Sequence, residues 1–348
     1  MQAIISQKIK NARILNGFSQ QELADSIGVS KQMISKYEKG IAIPTSAIIL
    51  KLGKYLKVQI DYFFKPTKIE LGVLNFRKKS SFSNKKQESL EQLIKQNLEN
   101  YIEIEDLLQI DYSFKNPIEN EKVNAIEDVE KLVLLLRNYW EIGLDPIHNI
   151  IQLLEDKEIK VVELYDVAAT FDGLATFVNG KFPVIIVNGN FPVERKRFTL
   201  LHELGHLLLN LPECNLKEEE NYCNQFASEF LFPKKLVIKE FGIKRDKILL
   251  NELIEVQKKY GLSIQAIIYR LVDAGIFSES RKTDFYKKIN FNPNIKENVN
   301  ASRFETIEKS NRFEQLVYRA LSQEIISISK ASSLLNQNIN VLIENSLI

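Results

Sequence analysis

Cysteine and histidine are scarce in this chain of 348 residues, which has two cysteines and three histidines. Two cysteines, Cys214 and Cys223, are too few for a disulfide scaffold. The sequence also lacks a run of about 18 uncharged apolar residues, the length that a membrane-spanning helix needs. Its first ten residues do not combine a charged segment with an apolar core, as a signal peptide does. We therefore expect a cytoplasmic protein with reduced thiols and no membrane partner.

The composition is globular, but its charge is unevenly distributed. Hydrophobic residues make up 45% of the chain and charged residues 26%, and its length suffices for two or three domains. Residues 1–65 contain ten basic and four acidic side chains, which leaves 37 basic and 41 acidic ones in the remainder. A basic N-terminal part favours a polyanionic partner for that part alone. Ordinary surface charge accounts for these numbers equally well.

The first 65 residues predict a compact all-helical unit. After an amphipathic first helix, Ser19 and Glu22 form the capping-box pattern of a helix over residues 20–27. A glycine-containing turn leads to a second helix over residues 31–39, and a further helix is predicted over residues 45–56. Two short helices joined by such a turn are typical of a helix-turn-helix motif.

The segment Ser19–Gly40, with its run Leu-Ala-Asp-Ser-Ile-Gly-Val-Ser, resembles the Cro/C1 (XRE) family of repressor domains over about 60 residues. The resemblance implies that the second helix enters the major groove of a double-stranded DNA operator. Ser19 and Gln20, at the start of the preceding helix, are expected to contact phosphate. A helical domain that binds protein instead is the alternative. The expected base-contacting residues are Ser30, Lys31, Gln32, Ser35 and Lys36.

The middle of the chain changes from helical to strand-like patterns. Residues 76–86 are basic and serine-rich, which predicts a solvated linker, with a DNA-backbone contact as the alternative. His148 stands among isoleucines, and we interpret it as structural rather than as part of a site. Helices are predicted over residues 84–109, 125–141 and 145–157, and a small sheet from residues 160–167, 174–178 and 182–188.

The other two histidines stand four residues apart in a strongly apolar segment. Positions four apart lie on one face of a helix, so His202 and His206 can point together at one metal ion, for which Zn²⁺ is the commonest choice. Burial of two imidazoles and the carboxylate of Glu203 is costly unless a partner is bound, and a metal supplies that partner. This is the His-Glu-x-x-His arrangement of metallopeptidases. A chance match on a core helix is the alternative.

A third ligand is needed, and three consecutive glutamates follow. Glu218 falls on the outer face of the next predicted helix, whereas Glu219 and Glu220 both border its inner face, and periodicity does not separate those two. The segment from Glu220 to Pro233 resembles the second signature of the ImmA/IrrE metallopeptidase family, Glu-x-x-x-Asn…Phe-Ala. The resemblance, which extends over roughly residues 70–335, implies that Glu220 is the ligand and that Asn224 supports the ligands.

Two features near this signature are open to interpretation. Tyr222 stands where many members of the family carry a second acidic residue, which alters the local charge but not the chemistry. Cys214 and Cys223 flank Glu220. We interpret both as small buried apolar residues, and a rival zinc ligand or a redox switch is the alternative.

The resemblance implies peptide hydrolysis with zinc as cofactor and Glu203 as general base. We therefore expect a DNA-binding transcriptional regulator whose metalloendopeptidase domain cleaves a repressor, or the chain itself, to control stress or mobile-element genes. One alternative is a repressor whose peptidase fold senses a ligand without cutting, and another is a protein-binding scaffold. Helix-turn-helix repressors bind paired half-sites as dimers, so a homodimer is expected.

The predicted fold class is mainly α with a small β-sheet (α+β). Within the region 241–348, helices are predicted over residues 246–276 and 302–346, and that region serves as a partner-recognition unit or as a structural cap. The predicted domains are a helix-turn-helix domain at 1–66, a linker with a long helix at 67–124, a gluzincin-like peptidase domain at 125–240 and the helical C-terminal region at 241–348.

Overall fold

The computed structural model describes residues 1–65, 69–72, 84–165, 167–211 and 214–344, so most of the predicted basic linker lies outside the described residues. Helices predominate and three strands form one sheet, which confirms the α+β fold class. Contacts divide the chain into two compact units. The first comprises Met1–Tyr112, Val178–Gly180 and the residues from Asn311 onward; the second comprises Ser113–Phe177 and Lys181–Ser310.

In the described part of the chain, no helix has both the length and the apolarity needed to cross a membrane.

The first unit begins with four helices around a small core. The predicted capping box at Ser19 is present, and Gly28 ends the following helix in the left-handed conformation at φ 75°. Leu23 and Ile34 are fully buried between the helices. Their packing stabilises two helices that are too short to be stable alone. The elements are α1 (Gln2–Leu15), α2 (Gln20–Ile27), α3 (Lys31–Glu38), α4 (Ser46–Leu56) and a 3₁₀ turn (Ile60–Phe64).

A long helix, α5 (Asn84–Leu107), packs along α1 in the same unit. Its residues Leu90, Ile94 and Leu98 recur at helical spacing and are buried. The hydroxyl of Ser89 donates a hydrogen bond of 3.1 Å to the carbonyl of Leu15, at the end of α1. These contacts fix the first turns of α5 beside the N-terminal helices.

The second unit contains the sheet, in the order β1-β3-β2. Strand β1 runs parallel to β3, from the pair Lys160 and Val184 to the pair Leu164 and Asn188. Five of the seven residues of β3 are apolar and β-branched or aromatic, and β3 is the central, most buried strand. The elements are α6 (Ile126–Tyr139), α7 (Ile150–Asp156), β1 (Lys160–Leu164), β2 (Gly173–Val178), β3 (Phe182–Asn188), α8 (Val193–Leu208), α9 (Leu216–Leu231), α10 (Lys234–Phe241), α11 (Leu250–Tyr260), α12 (Ile264–Asp273), α13 (Glu279–Phe291) and α14 (Pro293–Asn300).

The helix predicted over residues 145–157 is shorter than expected. It begins at Ile150, with Asn149 as its N-cap. The carbonyls of Ile147 and His148 accept hydrogen bonds from the buried guanidinium of Arg197, at 2.7 and 3.2 Å. Arg197, which is distant in the sequence, therefore holds these carbonyls in an irregular loop. Sequence periodicity cannot reveal such a partner.

The helix predicted over residues 302–346 is wrong in its first turns. Residues 302–310, here termed the connecting segment, are irregular, and α15 begins only at Arg312. The backbone amides of Arg303 and Phe304 donate to the carboxylate of Glu194, at 2.8 and 3.2 Å, instead of to helical carbonyls. The connecting segment is therefore bound to the N-terminal half of α8.

The last helices return to the first unit. They are α15 (Arg312–Ser322), α16 (Ile328–Leu335) and α17 (Ile339–Glu344). Val317 and Ala320 of α15 are buried in a cluster with Tyr101 and Ile104 of α5. The region predicted as one C-terminal unit, 241–348, is thus shared between the two units at Ser310.

Candidate metal centre and nucleic-acid interface

Helices α8 and α9 pack closely against each other in the second unit. A β-carbon added at Gly205 of α8 would lie 3.3 Å from both the α-carbon and the sulfur of Cys223 in α9. The apolar residues Leu201 and Leu204 of α8 and Phe226 of α9 are fully buried. A glycine at the crossing therefore brings the polar residues of the two helices within reach of one another.

Three side chains from these helices converge. The Nε2 atoms of His202 and His206 lie 3.1 Å apart, and Glu220 places carboxylate oxygens 3.3 Å from the first and 3.5 Å from the second. Ligands at about 2.0–2.2 Å from a tetrahedral zinc ion are separated by about 3.3–3.6 Å. One donor atom from each residue falls within 4.8 Å of the others. The donor types and their spacing therefore fit a zinc ion.

The other nitrogen of each imidazole is held by α9. His202 Nδ1 lies 3.0 Å from Oδ1 of Asn224, and His206 Nδ1 lies 2.8 Å from a carboxylate oxygen of Glu219 and 3.3 Å from the sulfur of Cys223. An Nδ1–H group that donates to these acceptors leaves the Nε2 lone pair for a metal. Sequence reasoning did not assign Glu219, although its place on the inner face was the signal.

Glu203 is half-buried on α8, next to the first strand residue of β2. A β-carbon at Gly173 would lie 2.8 Å from the carbonyl of Ile186, 2.9 Å from a methyl carbon of Thr199 and 3.4 Å from Cγ of Glu203. Only glycine fits there without a shift of backbone or helix. The start of β2 therefore passes directly beside the predicted general base.

The remaining histidine and cysteine lie outside this cluster. His148 is exposed, and its carbonyl serves the structure by accepting from Arg197. Cys214 is half-buried, and desolvation together with Glu219 and Glu218 raises the pKa of its thiol. A raised pKa favours the neutral thiol, the less reactive form.

The residues predicted to contact DNA all belong to α2, α3 and their caps. Ser30 is exposed, and its hydroxyl accepts from the amide of Met33, which makes it the N-cap of α3. The side-chain nitrogen Nε2 of Gln20 donates a hydrogen bond to the carboxylate of Glu38 at 2.7 Å, and Glu38 also binds Arg13. Gln20 is thereby held in place at the start of α2. The predicted contacts Ser19, Lys31, Gln32 and Lys36 are exposed, and Ser35 is half-buried.

Comparison with protein families gives two matches along the chain. A helix-turn-helix family model matches residues 9–63. A family model described as an IrrE N-terminal-like domain matches residues 155–272, which include the sheet and helices α8 to α12. The two families expected from the sequence are thus present in one chain, in the expected order.

Curated relatives match the N-terminal part. The SPbeta prophage-derived uncharacterized HTH-type transcriptional regulator YonR of Bacillus subtilis is 36% identical over 64 residues, which are 18% of this chain and 59% of YonR. The uncharacterized regulator RP497 of Rickettsia prowazekii is 39% identical over 62 residues, 18% of this chain and 48% of that protein. The chain thus spans about half the length of these relatives. The B. subtilis regulator YgzD is 30% identical over 60 residues, 17% of this chain and 91% of YgzD.

Proposed function

Because the chain belongs to the HTH-type transcriptional regulators through its N-terminal domain and carries an IrrE N-terminal-like domain, we propose that it is a DNA-binding regulator with a zinc metalloendopeptidase domain. The observation that carries the proposal is the convergence of His202, His206 and Glu220 at zinc-ligand spacing. The substrate is a repressor protein or the chain itself, and the prophage origin in the name of YonR favours mobile-element genes as the target.

In this proposal His202, His206 and Glu220 hold the zinc ion. Zinc in such a set acts as a Lewis acid that polarises a peptide carbonyl and lowers the pKa of water. Asn224 and Glu219 fix the ring orientation of the two histidines through their Nδ1 atoms. This support fixes the ring tautomer and directs both Nε2 atoms at one point.

Glu203 acts as the general base and acid. Glu203 follows His202 on the same helix and lies beside Gly173, where β2 passes close to α8. This position supports the role. The carboxylate takes a proton from the attacking water and returns it to the leaving amine, so that one water and one peptide bond become a carboxylic acid and an amine. The N-terminal domain, as a homodimer on paired half-sites, directs the protein to its operator.

The Glu203→Gln variant tests the proposal. The exchange keeps the size of the side chain but removes the proton acceptor, so we expect cleavage to fall by at least about 100-fold. Zinc content, measured by mass spectrometry of the native protein, should stay at one ion per chain. Cleavage is followed in a proteome-derived peptide library and in the chain itself, with Glu218→Gln, an exposed substitution on α9, as the control.

Other results would contradict parts of the proposal. If the folded wild-type chain binds no zinc, the proposal of a metal centre is wrong. If Glu203→Gln cleaves as fast as the wild type, Glu203 is not the general base. If regulation of the target genes survives in the same variant, the peptidase fold acts as a ligand sensor that does not cut.

A further inference from the structure

A cavity of about 460 Å³ lies in the first unit, where α1, α2 and α3 meet the first turns of α5. Its lining includes Lys10 from α1, Ser19 and Gln20 from the start of α2, and Lys31, the first residue of α3. Lys85 of α5 lines the same cavity. Four separate segments of the chain therefore border one opening, and each of the three helices α1, α3 and α5 places a lysine there.

The cavity carries an excess of positive charge. Lys10, Lys31 and Lys85 are exposed, and none of them has an ion pair with a described residue. Arg13 also lines the cavity, but it is paired with Glu38. The acidic residue of the lining is Glu88. Three lysines against one glutamate favour an anionic ligand in the cavity.

Lys85 is held at this position by the packing of its helix. Ser89, one turn later, is bonded to the end of α1, and Leu90 and Ile94 are buried against the same unit. The ammonium group also lies close enough to Glu22 at the start of α2 to lower the pKa of that carboxyl, after the stronger effect of the Ser19 hydrogen bonds. The packing of α5 therefore places the backbone of Lys85 beside the helix pair, although this residue lies outside the matched region 9–63.

We propose that Lys85, together with Lys10 and Lys31, binds a phosphate group of the DNA backbone, so that α5 forms part of the DNA-binding surface. This inference rests on the proposed DNA binding by α3. The occupant is double-stranded DNA because Lys31 belongs both to the cavity and to the exposed early residues of α3. A duplex with its groove on those residues carries its sugar–phosphate backbone alongside, and such contacts fix the register of the protein.

Salt dependence of DNA binding by the full chain tests the inference. The probe is a duplex that the wild-type protein enriches from a random-sequence pool. Each phosphate contact contributes about 0.9 to the slope of log K against log salt concentration. We expect Lys85→Gln to make the slope shallower by about that amount. The matched control is Lys86→Gln, which removes the same charge from the neighbouring position of α5, outside the cavity.

Glu88→Gln gives an effect of the opposite sign. Removal of the negative charge from the cavity should tighten binding, which a folding defect cannot imitate. The inference is overturned if Lys85→Gln binds like the wild type, or if Lys86→Gln loses as much as Lys85→Gln. If the wild-type chain enriches no duplex, the proposed DNA binding fails and the inference fails with it; if the wild type binds and only the Lys85 effect is missing, the inference alone fails.

Discussion

Asn224 and Glu219 stand behind the two imidazoles of the candidate metal centre, and neither is among the three proposed ligands. Each occupies the Nδ1 side of one histidine, at 3.0 and 2.8 Å. Hydrogen bonds of this kind fix the tautomer and the ring orientation of a ligating histidine. The cost of losing them should therefore appear in the affinity for the metal rather than in the fold.

Asn224→Ala tests this separation. The variant loses the acceptor for His202 Nδ1, so we expect zinc affinity to fall by about 10- to 100-fold. Competition with a chromophoric chelator measures that affinity, and thermal unfolding of the metal-free protein should change little. Asn221→Ala, an exposed asparagine on the same helix, is the matched control. Equal zinc affinity in the two variants would show that Asn224 does not support the ligand.

Sequence alone predicted the two histidines together because helical geometry fixes residues four apart on one face. Periodicity did not separate Glu219 from Glu220, and both do lie at the imidazoles. Helical spacing also predicts that Glu229 lies on the outer face with Glu218, but this prediction is wrong: Glu229 is 1% exposed and pairs with Arg270 of α12. Such a partner, distant in the sequence, leaves no trace in the periodicity of α9.

The connecting segment and α8 are distant in the sequence but in contact in the structure. Glu308 of the segment pairs with Arg197 of α8, and both side chains are almost fully buried, at 1% and 0% exposure. The same carboxylate accepts hydrogen bonds from the amides of Ile150 and Ile151, at the start of α7. One acidic residue therefore fixes the N-terminal half of the helix whose C-terminal half carries His202 and His206.

Glu308→Ala should destabilise the second unit strongly. The variant leaves the buried guanidinium of Arg197 without its anion, a loss of about 3–5 kcal/mol in the free energy of unfolding. Denaturant titration of the full chain measures the loss. Glu305→Ala changes an exposed glutamate in the same segment and should cost less than about 0.5 kcal/mol. A small effect at Glu308 would mean that the ion pair does not hold the segment.

Helix bounds in the first 65 residues could be predicted closely because caps and turns mark them locally: the cap at Ser19 and the turn that begins at Gly28 are as predicted. The helices α13 and α14 were not predicted, although Ser278 and Asn292 cap them. The bounds of α7 and α15 differ from the prediction because Arg197 and Glu194 take the backbone groups that a helix would use. Those side chains are distant in sequence, so no local pattern reveals them.

The first unit combines residues from the N-terminal and the C-terminal parts of the chain, and ion pairs join these two parts. Glu103 of α5 receives hydrogen bonds from Lys330 of α16 at 2.9 Å and from Lys65 at 3.2 Å. Burial of Glu103 raises the pKa of its carboxyl, but the two ammonium groups outweigh that effect and the net pKa is lowered. Residues from both ends of the sequence therefore meet at one carboxylate.

This contact predicts an acid-sensitive first unit. Because the pKa of Glu103 is lower in the folded chain, its stabilising effect is present above the unfolded value of about 4.3 and is lost as the pH falls through the folded pKa. The free energy of unfolding of Glu103→Gln should therefore lie below that of the wild type at neutral pH, with a smaller gap near about pH 3. Glu91→Gln, whose partner Lys95 lies on the same helix, is the control. A gap that stays constant with pH would contradict the role of Glu103.

The return of the last helices to α5 also sets an order of events during translation. Tyr101 and Ile104 leave the ribosome long before Val317 and Ala320, the residues that cover them. Domains usually fold as they emerge, from the N-terminus onward. All residues of the second unit, which contains His202 and His206, are therefore synthesised before the residues that bury Tyr101 and Ile104. The first unit, whose synthesis begins first, is the last to have all of its residues.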